Sequence, residues 1–286
     1  MRIFEKERHL RHRVIRIFGL KVFSYSVRHA RRIVASEGNK VSNIPPHCGV
    51  VISGRGNRVV FREPVDEMFC GEVRIGSPDS PANGCVVEIG AGTTSNGCEI
   101  RLMEDGSRCE IGADCMFSDG VRIWGSDTHA VLCEGRLNLG KAVTIGEYTG
   151  IGRDVDISAT SIGRYCSIGS HIRIGQGEHD LGQVSTSGVL STGNAELSAL
   201  RCEIGHDVWI GTEAVIRRGV KIGNFAVIGA NAFVNKDVPD FGIAVGIPAR
   251  VVRLRFTPEQ RKKIVDSKYW LLPPEEAKAV IRKLGI

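Results

Sequence analysis

The sequence predicts an all-β fold, a left-handed parallel β-helix built from hexapeptide repeats. An aliphatic residue returns every six positions through the run Ile204, Ile210, Ile216, Ile222, Ile228 and Val234. A small or branched residue stands four positions after each of them, and 35 of the 286 residues are Gly. A period of six fits neither an α-helix nor a strand, whose side chains repeat every ~3.6 and ~2 residues. A triangular coil of three short strands, about 18 residues per turn, does fit it.

The repeat also divides the chain into regions. An earlier stretch keeps the period at Ile145, Ile151 and Ile157, and it resumes one residue short at Ile162 and Ile168. We therefore predict a regular β-helix over 143–253, interrupted by a loop at 175–203. Irregular coils are predicted over 37–142, where the six-residue period is loose.

The two ends of the chain read as helical. The run from Thr257 to Gln260 is a capping box with Pro at the first helical position, and it predicts a helix to about Lys268. A second helix is predicted from Glu275 to about Leu284, so that 254–286 forms a helical cap. At the other end, residues 1–36 are predicted to be a basic helical arm, because apolar residues recur at helical spacing: Leu10, Val14, Ile17, Phe18 and Val22.

The net charge of +6 belongs to this arm. Residues 1–32 hold ten Lys or Arg against Glu5 and Glu7, and the rest of the chain is slightly acidic. Two interpretations stay open: peripheral contact with an anionic membrane surface, or a role limited to packing against a neighbouring chain or to solubility. A nucleic-acid partner is not expected, since the basic segment lacks interleaved base-stacking aromatics and any recognised motif.

Cysteine usage and hydropathy bear on the compartment. The nine Cys are scattered singly with no CxxC pair, which argues against a disulfide framework and a zinc knuckle and favours a reducing environment. No apolar run approaches the ~20 residues that a spanning helix needs, and the N-terminus does not read as a signal peptide. A cytoplasmic protein is therefore expected.

Two interruptions of the repeat are candidate functional segments. The larger, from about Gly175 to Cys202, carries His179 between Glu178 and Asp180. The smaller runs from Ser126 to Lys141 and carries Asp127 and His129. Loops of this length on a regular scaffold are commonly functional.

Several segments resemble the hexapeptide-repeat acyltransferases, specifically their xenobiotic and galactoside O-acetyltransferase branch. They are IGRYCSIGSHIRIG, the His179 loop with its VSTS, IGHDVWIGTEAVIRRGVKIGNFAVIGANAFVNKDVP, and AVGIPARVVRLRF. The resemblance covers about residues 145–270. It implies an acetyl-CoA donor, no required metal, and a homotrimer with active sites between subunits. The acceptor implied is a glycan or a small hydroxylated molecule.

The resemblance also implies roles for individual residues. His179 takes the place of the general base, and imidazole suits that role because it titrates near neutral pH. Glu178 or Asp180 could orient the ring, as could a backbone carbonyl. Trp209 either lines the pantetheine and acceptor end of the site or fills an outer face between subunits.

The remaining matches concern acetyl-CoA. Gly211 and Thr212 lie where a backbone N–H could hold the developing oxyanion. Thr212 and Ala230 match positions beside the pantetheine arm. The nucleotide end is matched by Asn235, which stands where the family commonly has Thr, together with Lys236, Arg250 and Arg253.

The first interruption resembles the active loop of other branches, but Gly150 stands where those carry a Trp. We therefore interpret Asp127 and His129 as acceptor-binding residues or as relics. A zinc carbonic anhydrase would need closely paired His on neighbouring turns, a spacing that His171 and His206 lack. A scaffold without enzymatic activity is the other rival.

We therefore expect an O-acetyltransferase acting on a sugar hydroxyl of a cell-surface glycan or its precursor. The alternatives are a xenobiotic or small-molecule O-acetyltransferase and an amino-sugar N-acetyltransferase.

Overall fold

The structure is a computed structural model of the chain. It describes residues 33–67, 69–124, 143–187, 190, 197 and 199–286, and the backbone alone of 4–8, 12–17, 20–26 and 142. Within these residues the chain winds into a three-sided β-helix, so the predicted fold class is confirmed. Short strands from successive turns stack into three sheets, which form the faces of a prism, and the third sheet begins only at Thr94.

We name the faces by their order along a turn. The first face contains β4 (Ile33–Ala35), β6 (His47–Ile52), β8 (Cys70–Ile75), β11 (Cys98–Leu102), β14 (Val121–Trp124), β17 (Asp156–Ser158), β20 (Arg173–Gln176), β23 (Val215–Arg217) and β26 (Phe233–Val234). The second contains β5 (Lys40–Ser42), β7 (Arg58–Phe61), β9 (Val86–Ile89), β12 (Arg108–Ile111), β15 (Ala142–Ile145), β18 (Thr160–Ile162), β21 (Cys202–Ile204) and β24 (Lys221–Ile222).

The third face contains β10 (Thr94–Ser95), β13 (Met116–Phe117), β16 (Gly150–Ile151), β19 (Ser167–Ile168), β22 (Trp209–Ile210), β25 (Val227–Ile228), β27 (Gly242–Gly246) and β28 (Ala249–Leu254). The last of these strands turns back and pairs antiparallel with β27. It therefore ends the third sheet at the C-terminal end of the prism.

The repeat positions fill the prism interior. Ile168, Ile210 and Ile228 occupy one register on the third face, and each is 4% exposed or less. Corresponding positions on the other faces are equally buried, because alternate strand residues point inward. One continuous apolar core therefore runs along the prism from Ile44 to Ala249.

The three corners differ in chemistry. The loop corner, between the first and second faces, holds both interruptions of the repeat. The aromatic corner, between the second and third faces, carries Tyr148, Tyr165, Asp207, Phe225 and Phe241, all with positive φ. The polar corner, between the third and first faces, carries the positive-φ residues Asp154, His171, Glu213 and Asn231.

The C-terminal helices pack along the aromatic corner. The predicted capping box at Thr257 is present, and it starts α1 (Pro258–Ser267); a 3₁₀ turn (Tyr269–Leu271) and α2 (Pro274–Leu284) follow. Tyr269 and Ile264 form a buried cluster with Phe225 and Phe241, whose rings stack 4.7 Å apart. The helices thus brace the side of the prism along this corner.

The prediction of a helical N-terminal arm is wrong for the described backbone. The arm forms an antiparallel sheet of β1 (Phe4–Arg8), β2 (His12–Ile17) and β3 (Leu20–Ser26). Its abundance of β-branched and aromatic residues favours strands over the helical spacing of a few apolar positions. The prism begins at Ile33, inside the segment assigned to the arm. No described helix is long and apolar enough to cross a membrane.

Candidate active site

Both interruptions leave the prism at the loop corner. Residues 125–141 connect β14 to β15, and residues 177–201 connect β20 to β21. One strand, β17, lies between β14 and β20 on the first face. The two exits are therefore two strand spacings apart, about 10 Å along the prism. Asp127 and His129 lie outside the described residues. The structure shows only where their segment leaves the prism, after Trp124.

His179 is half-buried at the start of the second interruption. The neighbouring Glu178 pairs with Arg217 of the next turn, with Oε1 3.1 Å from Nε. Asp180 accepts the backbone N–H of Gly182 at 2.8 Å and the Gln183 amide at 3.3 Å. Each predicted orienting carboxylate thus also holds the segment in place. Whether either orients the imidazole stays a prediction.

Above this segment, on the next turn, lies a buried arginine that the repeat pattern does not single out. Arg218 is 4% exposed, and its guanidinium donates to the Gly175 carbonyl from Nε at 2.9 Å and from Nη2 at 2.7 Å. Nη2 also donates to the hydroxyl of Ser158, at 3.0 Å. Arg217 and Arg218 therefore contact the start of the His179 segment at two points. In the sequence, only the pair of adjacent arginines after Ile216 could have indicated this arrangement.

Trp209 lies on the third face, away from the loop corner. Its side chain points outward, 57% exposed, between Ser167 and Val227 of the neighbouring turns. The end of the same face exposes Ile247 and Val252, at 75% and 60%. This apolar surface is consistent with either predicted role of Trp209, because both involve contact with another molecule or chain.

Gly211, Thr212 and Ala230 lie at the polar corner. A Cβ on Gly211 would approach the Ala230 backbone nitrogen to 2.5 Å, so the turns stack closely only with glycine there. The Gly211 N–H donates to the Ile228 carbonyl at 2.8 Å. It therefore cannot hold an oxyanion, and that expectation is corrected for Gly211. Thr212 and Ala230 are exposed beside it.

The residues matched to the nucleotide end lie on two elements. Asn235 and Lys236 follow β26 at the loop corner, and Arg250 and Arg253 project from β28, both exposed. The Asn235 Oδ1 atom is buried, and no hydrogen-bond donor among the described residues reaches it. A buried acceptor of this kind normally has a partner. The position thus fits a donor supplied by a ligand or a second chain.

The predicted site residues fall into two groups in one chain. The His179 segment, Asn235 and Lys236 share the loop corner, whereas Gly211, Thr212 and Ala230 share the polar corner. About six extended residues separate Thr212 from Arg218 across the first face, which corresponds to roughly 20 Å. Within a single chain the two groups of residues therefore lie apart, at different corners of the prism.

Two further histidines, His171 and His206, lie at different corners. His171 is at the polar corner, where Nδ1 lies 3.7 Å from the Asp154 carboxylate. His206 is at the aromatic corner, where Nδ1 accepts the Arg164 N–H at 2.9 Å; burial and the Arg164 charge lower the pKa of His206. No group of three His, Cys, Asp or Glu suited to a metal occurs within the described ranges.

Comparison with known proteins agrees with this architecture. Residues 201–236 match the family model described as bacterial transferase hexapeptide (six repeats). The chain is similar to the chloramphenicol acetyltransferase of Klebsiella aerogenes, with 35% identity over 45% of this chain and 67% of that protein. The chain belongs to the hexapeptide-repeat transferase family. A second relative, the chloramphenicol acetyltransferase of Agrobacterium fabrum, is 37% identical over 42% of this chain.

Other similar proteins match a shorter part of the chain or share only its fold. The galactoside O-acetyltransferase of Escherichia coli is 47% identical, over 21% of this chain and 30% of its own length. The crystal structure of the polySia-specific acetyltransferase NeuO shares the fold, with a TM-score of 0.53 at 19% identity over 84% of this chain and 94% of that one. This chain spans 63% of the Agrobacterium fabrum relative, just under two thirds of its length.

Proposed function

We propose that this chain is an acetyl-CoA-dependent O-acetyltransferase that acetylates a sugar hydroxyl of a cell-surface glycan or its precursor. The observation that carries the proposal is a half-buried histidine on an anchored segment of a hexapeptide-repeat prism. Relatives in this family are named as acetyltransferases of chloramphenicol and of galactosides, two acceptors that carry hydroxyl groups. That agreement supports hydroxyl acetylation as the reaction.

His179 is the general base in this proposal. An imidazole nitrogen accepts the hydroxyl proton as the acceptor oxygen attacks the thioester carbonyl. The carbon–sulfur bond then breaks, and the CoA thiolate takes the proton from the imidazolium. No covalent acyl-enzyme is required, because the thioester is already activated. A positioned base of this kind contributes about 10²–10⁴-fold to the rate.

The donor side of the site is proposed at the polar corner and on β28. Thr212 and Ala230 would lie along the pantetheine arm, with Trp209 at its reactive end. The exposed Arg250 and Arg253, with Lys236, suit the phosphates of the nucleotide, since guanidinium groups bind phosphate bidentately. The buried Asn235 Oδ1 could accept a donor from the same ligand.

We further propose a homotrimer in which the two groups meet between chains. Three prisms around a threefold axis form a closed ring, and each loop corner then faces a neighbour's polar corner. Mixed trimers test this. His179→Ala removes the base, and Ala230→Trp fills the exposed donor position of a second variant. Recovery of activity in co-expressed mixtures supports a shared site, whereas inactive mixed trimers contradict it.

The activity itself is tested by acetyl-CoA-dependent thiol release across sugars, lipid-linked glycans and chloramphenicol. We expect a glycan to accelerate release and His179→Ala to lower the rate about 10²–10⁴-fold while acetyl-CoA still binds. His171→Ala is the matched control, because His171 is exposed on the same turn at another corner. Absence of donor binding and of turnover with every acceptor would reject the transferase proposal.

Small-molecule acceptors are the second candidate, since two of the relatives above are named for chloramphenicol. Faster thiol release with chloramphenicol than with any glycan would favour it, and release with amino sugars alone would favour N-acetylation. We place the enzyme in the cytoplasm, where acetyl-CoA is available, with the basic arm in contact with the inner membrane face. Binding of the full chain to anionic but not neutral vesicles tests that contact.

A further inference from the structure

The segment that carries His179 leaves the prism at an irregular point. The pairing of β20 with β23 shifts register between Ile174 and Gln176, at Gly175. Gly175 has φ +66°, and a Cβ there would lie 2.1 Å from the Ser158 carbonyl oxygen. Only glycine permits this close approach of two turns. The Gly175 carbonyl is thereby turned toward Arg218.

Arg218 bridges three successive turns at the loop corner. Arg218 itself follows β23. Its two bonds to Gly175 reach β20 in the turn below, and its bond to Ser158 reaches β17, two turns below. The planar guanidinium makes these bonds in one rigid arrangement, which the single ammonium of lysine cannot reproduce. A buried cation is costly to desolvate and is retained where its hydrogen bonds are satisfied. The arrangement therefore fixes Gly175 against both neighbouring turns.

The adjacent Arg217 acts on the same segment three residues later, through Glu178. Gly175 and Glu178 are thus both held by consecutive residues of one strand end. His179 is the first residue beyond the second contact. The two arginines therefore hold the chain on the N-terminal side of His179.

We infer that Arg218 is a positioning residue for His179, acting through the Gly175 carbonyl on the segment that presents the imidazole. The inference rests on the proposed function for its catalytic part. A general base contributes only when it lies within hydrogen-bond reach of the proton it removes. Displacement by about 1 Å can cost on the order of 10²-fold in rate.

The test compares Arg218→Met, which keeps an apolar stem, and Arg218→Lys with the control Arg122→Met. Arg122 also makes a two-point contact on the first face, with Asp156, but it lies two turns below the loop. Hydrogen exchange of residues 176–187 is measured first. We expect faster exchange in Arg218→Met, a smaller increase in Arg218→Lys, and no change in Arg122→Met.

Kinetics then separate positioning from general stability. We expect Arg218→Met to lower kcat about 10–10²-fold with the KM for acetyl-CoA unchanged, and Arg218→Lys to recover part of the loss. In a His179→Ala background, Arg218→Met should have no further effect, because the group it positions is gone. If Arg218→Met does not fold, Ser158→Ala takes its place in both the exchange and the kinetic measurements, because it removes one of the hydrogen bonds of Arg218.

Two results overturn the inference: unchanged exchange of residues 176–187 in Arg218→Met, or an equal loss of rate with and without His179. Wild-type protein without any turnover would instead reject the proposed function. In that case the exchange measurement still decides whether Arg218 anchors the segment.

Discussion

The C-terminal turns, from Ile162 to Gly246, and the N-terminal turns, from Ile33 to Trp124, have the same interior but different outlines. In the former, Ile204 pairs with Ile222, three hexads further along the chain. In the latter, Cys98 pairs with Gly71 and Val121, and both of these turns are longer than three hexads. The additional residues are accommodated at the corners, and the strand register is unaffected. A strict six-residue period is therefore sufficient for this fold but not required for it.

The outer surfaces of the two regions also differ. The first face of the N-terminal turns carries charged side chains that pair with one another, such as Arg74 with Glu72 and Arg101 with Glu99. At the same register the C-terminal turns carry Arg173, which pairs with Asp156, and then the apolar Val215 and Phe233 in the last two turns. Paired charges suit a surface in water, whereas exposed apolar residues suit contact with another chain or ligand. The proposed donor site and trimer contact would use the apolar surface of these last turns.

The largest expected effect tests whether the two interiors are equivalent. Ile210 and Leu102 are both fully buried, one in each region. Truncating either to Ala leaves a cavity, and we expect each to lower the free energy of unfolding by about 2–5 kcal/mol. Urea unfolding followed by circular dichroism measures both. A single shifted transition is expected in each case, and two separate transitions would show that the regions unfold independently.

An intermediate loss of stability is expected at alkaline pH, and its size should be similar in both regions. Burial raises the pKa of Cys109 and of Cys166 from 9.0 to about 12. The folded state therefore holds these thiol protons more tightly than the unfolded state. Their contribution to stability is complete below pH 9 and is lost as the pH rises toward 12.

Unfolding free energies measured between pH 8 and 11 test this for the wild type, Cys109→Ala and Cys166→Ala. Each variant should lose stability less steeply with pH than the wild type, whatever its cavity costs at pH 8. An identical slope in all three proteins would contradict the expected protonation. The eight cysteines that the structure describes are all buried.

The smallest effect is expected at the charged N-terminal surface. Arg101 is 37% exposed, pairs with Glu99 and lies over the Trp124 ring, 5.0 Å from its centroid. Exposed pairs contribute little, so Arg101→Ala should change stability by about 0–1 kcal/mol. The Trp124→Ala variant, which removes a larger surface, serves for comparison. A loss for Arg101→Ala as large as that for Ile210→Ala would show that this face is structurally coupled to the core.

The sequence predicted what depends on periodicity and local capping. The register of Ile204 through Val234, the start of α1 at Thr257 and two interruptions could all be read from residue spacing. The aromatic corner could not, because Phe225 and Phe241 adopt positive φ against their local preference. Their rings pack against residues distant in the sequence, Phe225 against Tyr269 and Trp270, and Phe241 against Phe256.

The candidate site was only partly predicted from the sequence, and the reason is related. His179 was conspicuous because it interrupts a regular pattern, whereas Arg218 sits within a hexad where an arginine reads as a surface charge. Its burial follows from the adjacent loop, which sequence spacing does not place. The prediction for the N-terminal arm was wrong because two signals disagreed. The spacing of its apolar residues favours a helix, whereas its β-branched residues favour the strands that the structure contains.

The shared exit of both loops has an evolutionary consequence. Ile174 pairs with Ile216, and Ile123 pairs with Ile157, although in each case the intervening chain is much longer than one regular turn. Insertions at this corner are therefore nearly free of topological cost, because the hydrogen-bond ladder closes again above them. A lineage can lengthen, exchange or recombine these loops while the rest of the prism keeps its sequence. On the proposed function, acceptor preference would diversify in this way without a new scaffold having to evolve.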